Sequence, residues 1–215
     1  MRGTLITFEG VDGGGKSKQS TMLASALRQR GLDVILTREP GGSDIGEHLR
    51  KLVTSSDHKL HKLTELFLFM ADRSEHVSEV IIPALERGAI VICDRYIRST
   101  EVYQGVVKQA ATMDVVTMLN NIATQGRKPD IEILIDCPVP TIIRRMDRRG
   151  EKSKFDKMSV DFHQSIRDGY LSIAAREKHL FVVDGDKDPD RVFIKIWQMV
   201  NDCQQFKNLA FYEGV

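Results

Sequence analysis

Cysteine is scarce in this chain of 215 residues: Cys93, Cys137 and Cys203 are present and no Cys-x-x-Cys pair occurs. Three thiols cannot pair completely, so a disulfide framework is excluded and free cysteines in a reducing compartment are expected. Zinc spacing is missing too. His58 and His61 have no cysteine or carboxylate at the intervals a zinc site uses, and they read as surface residues. An excess of either charge is absent, with 31 basic residues against 30 acidic. That balance removes the bulk field expected of a nucleic-acid binder or a membrane-surface protein. No apolar run approaches the roughly 18 residues of a membrane span, and no basic-then-apolar leader precedes the first strand pattern. The chain is expected to be cytoplasmic, with neither membrane nor nucleic acid as partner. Internal repeats and low-complexity segments are also lacking.

What is present is a regular alternation. Short apolar runs at 5–8, 34–36, 89–93, 131–135 and 180–183 are rich in Val, Ile and Leu without polar interruption, as suits strands covered on both faces. Helical patterns fall near 16–30, 45–54, 62–87, 112–124, 139–148, 157–177 and 188–204. Gly31 follows Arg28 and Arg30 as a helix stop. Strands alternating with helices predict an α/β fold with a doubly wound, parallel five-stranded sheet flanked by helices, in one domain over 1–205 with a tail at 206–215. Ligands of such sheets sit beyond the carboxyl ends of the strands. Charged residues stand there: Glu9, Arg38 and Glu39, Asp94 and Arg95, Asp136, and Asp184.

Residues 10–17, Gly-Val-Asp-Gly-Gly-Gly-Lys-Ser, match G-x-x-x-x-G-K-[ST] between a strand pattern and a helix pattern, the context of a P-loop. Gly10, Val11, Asp12, Gly13, Gly14, Gly15, Lys16 and Ser17 are therefore the expected ATP-binding residues. Backbone N–H groups converge on phosphate, Lys16 reaches the β- and γ-phosphates, and the Ser17 hydroxyl ligates Mg²⁺. Residues 90–94, four apolar residues ending in Asp94, have the form of a Walker B strand, which makes Asp94 the second metal-site residue. Arg95 offers phosphate a permanently charged fork, or else pairs with Asp94.

Several clusters each admit two readings. Thr37-Arg38-Glu39-Pro40-Gly41-Gly42-Ser43 is a sharp turn after a strand. Arg50 points into the crevice or pairs with Glu47 three residues earlier. Phe69 and Arg73 share a helical face, one turn apart, and either read a planar base or belong to the core. Ser99, Thr100, Tyr103 and Gln104 bring several donors and acceptors together. The basic run from Arg144 to Lys154 is a solvated face, or a lid that closes over ATP. A guanine-reading Asn-Lys-x-Asp is absent, which removes a GTPase switch.

Taken in this order, the P-loop, the Arg-Glu-Pro-Gly-Gly turn, Asp94-Arg95-Tyr96, Ser99-Thr100 and Tyr103-Gln104-Gly105 resemble the thymidylate kinase family, in its bacterial branch. The resemblance spans about residues 3 to 200. It implies transfer of the γ-phosphoryl of ATP to dTMP, with Mg²⁺, by a homodimer. It places Phe69 against thymine and Arg73 at its O4. Ser99, Thr100, Tyr103, Gln104 and Glu39 line the base and sugar pocket, Asp12 lies near the sugar 3′-hydroxyl, and Arg50 and Arg95 grip the acceptor phosphate. Lys16 and Arg95 are the implied catalytic cations, helped by a cation from a lid at about 148–160. Two readings compete with this one: another pyrimidine nucleoside monophosphate kinase, acting on dUMP or CMP, and a P-loop switch ATPase with a protein partner.

Two departures stand out. Some family members carry an arginine inside the P-loop, where this chain has Gly13, and branches without it place an arginine in the lid, where this chain has Lys154. Lysine keeps the charge and loses the bidentate fork, so Arg148 or Arg149 is the alternative lid cation. Arg98 and Glu101 also add charge where the family pattern has less. If Arg149 is the acting lid residue, Arg149→Ala lowers kcat more than Lys154→Ala in steady-state kinetics, and the reverse order reassigns the role to Lys154.

Overall fold

A computed structural model describes residues 3–55, 57, 59–148 and 153–203. Five strands form one parallel sheet: β1 (Thr4–Glu9), β2 (Val34–Arg38), β3 (Ile90–Asp94), β4 (Ile131–Asp136) and β5 (Leu180–Asp184). Their order is β2-β3-β1-β4-β5. All five match the expected apolar runs to within two residues at either end. The chain steps from β1 out to β2, returns to β3, then crosses to β4, so it leaves β1 and β3 towards opposite halves of the sheet. That switch point opens a crevice at their carboxyl ends. Register lines up the charged residues there: Phe8 and Arg38 are both opposite Asp94, and Asp136 is opposite Asp184.

Alternation along the strands supplies two cores. Ile6 and Phe8, Ile90 and Ile92, and Ile131, Ile133 and Ile135 pack on one face against α1 (Lys16–Arg28) and α9 (Pro189–Asp202), through Leu23, Ala24, Leu27, Val192, Ile196 and Val200. The intervening residues Leu5, Val91 and Cys93 face the other way, onto the helical stretch that ends α3 (Lys62–His76), a π-helical segment (Val77–Ile81) and α4 (Ile82–Glu86). On the same side of β4, Leu134 joins α7 (Val139–Asp147) and α8 (Val160–Ala174). Each fully buried side chain of this kind contributes about 1.5–3 kcal/mol of burial, which is why strands this short hold without polar alternation.

The helices differ from expectation in three places. The long pattern at 62–87 is one helical rod interrupted by the π-helical segment before Pro83. The pattern at 157–177 begins only at Val160, where Ser159 caps α8 by accepting from the Phe162 N–H at 3.1 Å. The helix at 97–107 has no counterpart among the expected patterns. It consists of α5 (Ile97–Thr100) and a π-helical segment (Glu101–Val107), leading to α6 (Met113–Ala123). Its polar residues read as a loop because its neighbours are themselves polar. The remaining helix, α2 (Asp44–Thr54), is capped by Ser43. The tail at 206–215 lies outside the described residues. No helix among the described residues is long and apolar enough to cross a membrane.

Candidate active site

The phosphate loop runs from the end of β1 into α1. Gly10 has φ of +136°, and a Cβ there would stand 2.5 Å from the Ile135 carbonyl oxygen. At Gly13, φ is +80° and a Cβ would meet Met146 Cγ at 2.9 Å and the Ile142 carbonyl at 3.1 Å. Helix α7 thus packs against the position where some family members have an arginine, and no side chain fits this backbone. Lys16 is buried; its Nζ donates to the Val11 carbonyl at 2.9 Å and lies 3.9 Å from Asp12 Oδ1. Burial, and then the nearby Arg95, push its pKa down to about 8 against the opposing pull of Asp12, Asp94 and Glu9. The Ser17 hydroxyl donates to Asp94 Oδ2 at 2.5 Å, and Asp94 Oδ1 is buried with no hydrogen-bond partner. Hard oxygen donors with one carboxylate oxygen unspent fit a magnesium site.

On the far side of the loop a cavity of about 460 Å³ is lined by Gly14, Gly15, Lys18, Gln19, Arg145, Gly185 and Pro189, among others. Arg145 spans its rim, donating to the Gly14 carbonyl at 3.1 Å and to the Gly185 carbonyl at 3.0 Å. Arg145 belongs to the basic run, whose periodicity does not say that α7 lies across the phosphate loop.

A second cavity, about 630 Å³ with its open mouth, lies on the other side. Asp12, Glu39, Arg50, Phe69, Arg73, Arg95, Ser99, Thr100, Tyr103 and Gln104 all line it, so every residue expected from sequence to meet the second substrate is brought together. Pro40 from the Arg-Glu-Pro-Gly-Gly turn and Ser153 from the lid segment complete the wall together with Thr54 and Phe155, which have no distinguishing sequence signal. At its floor Arg73 is 2% exposed and donates from Nε to Glu39 Oε2 at 2.7 Å, from Nη1 to Thr100 Oγ1 at 2.9 Å and Asn120 Oδ1 at 2.6 Å, and from Nη2 to the Tyr96 carbonyl at 2.8 Å. Burial works to raise the pKa of Glu39, but Arg73 and then His76 hold it below the ordinary value. Glu39, His76 and Cys93 place ligand atoms within 4.8 Å of one another. Each is already engaged: His76 is hydrogen-bonded to Glu39 and Thr37, and the Cys93 thiol donates to the Arg95 carbonyl. This is a polar core and leaves no atom for an ion.

Arg95 has the left-handed φ of +76°, held by its N–H bond to the Phe8 carbonyl at 2.9 Å. From there its guanidinium reaches Asp12 Oδ1 at 2.7 Å, Ser99 Oγ at 2.9 Å, and the hydroxyls of Tyr103 and Tyr170 at 3.2 Å. The pairing with Asp94 that the sequence left open is not the one formed. Glu9 supports this arrangement from below, accepting from Ser99 Oγ at 2.6 Å, the Tyr170 hydroxyl at 3.1 Å and the Tyr96 N–H at 2.8 Å. Tyr170 carries no sequence signal. Glu9 does, as a charge at a strand's carboxyl end.

Arg50 donates to the Pro40 carbonyl at 2.7 Å and faces the cavity, while Glu47 pairs with Arg38 at 2.8 Å. Arg98 and Glu101 turn away from the cavity, where Arg98 pairs with Glu132 and Glu101 at 3.0 Å, so they add no charge beside it. Lys154 is engaged on the acceptor side. Its Nζ is bonded to Glu65 Oε2 on α3 at 2.9 Å, and no described contact joins it to the phosphate loop. Arg149 lies outside the described residues, and Arg148 is exposed at the end of α7. His61 caps α3, accepting from the Leu63 N–H, whereas His58 lies outside the described residues.

A phosphate loop with a separate pocket on either side, one rimmed by Arg145 and one floored by Arg73, is the arrangement of a P-loop kinase with two substrates. The model of the family described as thymidylate kinase matches residues 8–196. Thymidylate kinase of Caldicellulosiruptor saccharolyticus is 37% identical over 94% of this chain and 98% of its own length, and that of Thermosipho melanesiensis is 43% identical over 91% and 96%. The crystal structure of thymidylate kinase from Ehrlichia chaffeensis superposes with a TM-score of 0.74 at 32% identity, covering 93% of this chain and 99% of that one. The chain belongs to the thymidylate kinase family.

The lowered pKa of Lys16 has a measurable consequence. Bound polyphosphate favours the ammonium and raises that pKa, so between the empty and bound values ATP binding takes up a proton. Affinity for ATP is therefore expected to weaken as pH rises through about 8. Calorimetry at pH 8.5 in buffers of different ionisation enthalpy should give net proton uptake, and Lys16→Met should abolish it.

Proposed function

We propose that this protein transfers the γ-phosphoryl group of ATP to dTMP, giving dTDP and ADP. The observation that carries this reading is the acceptor cavity, which runs from Asp12 in the phosphate loop and Arg50 and Arg95 to Phe69, Arg73 and Gln104. In it, Phe69 offers a stacking face. Four hydrogen bonds occupy Arg73, and its remaining Nη2–H is the donor proposed for O4 of the base. A cytosine would present an amino group to that donor, which disfavours CMP as acceptor. Arg50 and Arg95 hold the acceptor phosphate, and Asp12, now paired with Arg95, turns to the sugar 3′-hydroxyl when that phosphate takes its place. A switch ATPase would leave this cavity without a purpose.

Phosphoryl transfer asks for alignment and charge neutralisation rather than a base, since the acceptor phosphate is already ionised. Lys16 binds the β- and γ-phosphates in line with the acceptor held by Arg95, and a lid cation, Lys154 or else Arg148 or Arg149, closes the charge. Ser17 and Asp94 are the residues that would hold Mg²⁺, which supplies further neutralisation of the polyphosphate when bound. Gly14, Gly15 and Arg145 frame the nucleoside end of ATP. A cytoplasmic setting is supported by Cys93, Cys137 and Cys203, all free thiols.

The test is a coupled ADP-release assay over a panel of nucleoside monophosphates at saturating ATP. Turnover is expected with dTMP well above CMP and dCMP, with dUMP reporting how much the thymine methyl adds. ATP turnover independent of every acceptor would defeat the kinase reading.

A homodimer is also proposed, through the outer face of α3 and α6. Leu63 and Phe67 on α3, one turn apart, and Met118 and Ile122 on α6, likewise one turn apart, are exposed, Phe67 by 52% and Ile122 by 66%. The opposite faces of the same helices pack together through Leu66, Met70, Val116 and Ala123. Two neighbouring helices with apolar stripes facing outward suit a second copy of the same surface. Light scattering should give twice the chain mass, and Phe67→Asp with Ile122→Asp should give a monomer.

A further inference from the structure

Glu65 on α3 is 3% exposed and stands behind the acceptor cavity rather than in its wall. Both of its oxygens are engaged. Oε1 accepts from Gln104 Nε2 at 3.0 Å and from Lys108 Nζ at 2.6 Å, and Oε2 accepts from Lys154 Nζ at 2.9 Å. The donors come from separate parts of the chain: Gln104 from the π-helical segment, Lys108 from its C-terminal end, and Lys154 from the segment leading into α8. That segment is pinned further by the Lys154 N–H bond to the Thr54 carbonyl at 3.2 Å and by Phe155. The Phe155 ring meets Tyr103 edge-on at 5.8 Å and lies beneath the ammonium groups of Lys108 and Lys154.

A carboxylate accepts hydrogen bonds and donates none. Gln104 must therefore present its amide nitrogen to Glu65, which turns its oxygen towards the cavity that it lines. Without Glu65 the two ends of the amide are close to interchangeable. Their difference matters to a pyrimidine. Thymine offers an N3–H donor between two carbonyl oxygens, whereas cytosine offers an N3 lone pair beside an amino group. An inward-facing amide oxygen suits the first and opposes the second.

We propose that Glu65 is a positioning residue for base selection: it holds the Gln104 amide oxygen-inward, and through Lys154 it ties that orientation to the seating of the lid segment on α3. The proposal rests on the dTMP kinase reading above. Arg73 is an independent discriminator at the neighbouring base position, so loss of Glu65 weakens selection without abolishing it. The charged state of Glu65 is consistent with this role. Burial works to raise its pKa, and the hydrogen bond and charge of Lys108, with the hydrogen bonds of Lys154 and Gln104, bring it below the ordinary carboxylate value.

The experiment compares kcat and KM for dTMP and dCMP in the whole enzyme and in Glu65→Gln, at saturating ATP and Mg²⁺. A glutamine can offer Gln104 either end of its own amide, so Gln104 is free to turn. The ratio of kcat/KM for dTMP over dCMP should fall about tenfold, the scale of one mispaired hydrogen bond, mainly through a higher KM for dTMP. An unchanged ratio, or equal losses on both acceptors, would make Glu65 merely structural and overturn the proposal. A wild-type enzyme with no preference for dTMP over dCMP would overturn the base-reading of the cavity, and the proposal with it. Should Glu65→Gln fail to fold, Lys108→Met carries the test. Removing that cation raises the pKa of Glu65, and once protonated the group donates to Gln104 instead of accepting. As pH is lowered, selection in this variant should then decline at a higher pH than in the wild type, and coincident profiles would defeat the idea.

Discussion

One buried ion pair, Arg73 with Glu39, holds the acceptor side of this molecule together. Through a single guanidinium it joins the turn after β2, the carbonyl that follows β3, α5 and α6. A pair 2% and 3% exposed contributes little net stability against well-packed apolar residues, but removing one partner strands a charge and costs about 3–5 kcal/mol. The neighbouring Asp72 adds a second tie, accepting from the Gly41 N–H at 2.8 Å. Burial, and then the charge of Glu39, push its pKa up to about 7, so near pH 7 this carboxyl is about half protonated beside an ionised one. The turn at 39–43 is thus held by charges that sit at its inner side, and the cavity floor inherits their rigidity.

The catalytic side is organised by constraint of another kind. Arg95 takes a backbone conformation that costs a non-glycine residue about 1–3 kcal/mol, and the surrounding contacts over-determine it. Asp12, Ser99, Tyr103 and Tyr170 receive its guanidinium, and Glu9 in turn anchors Ser99 and Tyr170. A guanidinium held by this many partners is fixed in place at the wall of the acceptor cavity, and preorganised charge of that kind is what phosphoryl transfer draws on. The same fold explains a substitution. Packing of α7 on Gly13 leaves no room for a loop arginine.

Much of this is legible in the residues alone. Leu5, Val91 and Leu134 alternate with Ile6, Ile92 and Ile133 within strands covered on both faces, and such runs stand out against any helix pattern. Phe69 and Arg73 are legible as a pair because helical periodicity puts them on one face. The helix at 97–107 is not, because Arg98, Glu101 and Gln104 are polar residues facing buried partners, and hydropathy reads polarity as exposure. Lys154 stands in the lid, where its charge suggests phosphate. Its actual partner, Glu65, lies 89 residues away in sequence.

Sequence by itself determined the alternation of strands and helices and the phosphate loop, since these follow from local period and short spacing; the residues expected to meet the acceptor came from the family resemblance. Tertiary structure decided the partners: Arg50 with Pro40 rather than Glu47, Arg95 with Asp12 rather than Asp94, Arg98 with Glu132 and away from the cavity, and Lys154 with Glu65. The reason is physical. A charge in a low-dielectric interior pairs with whichever opposite group the fold brings within about 3 Å, and that distance is set by packing between elements far apart in the chain.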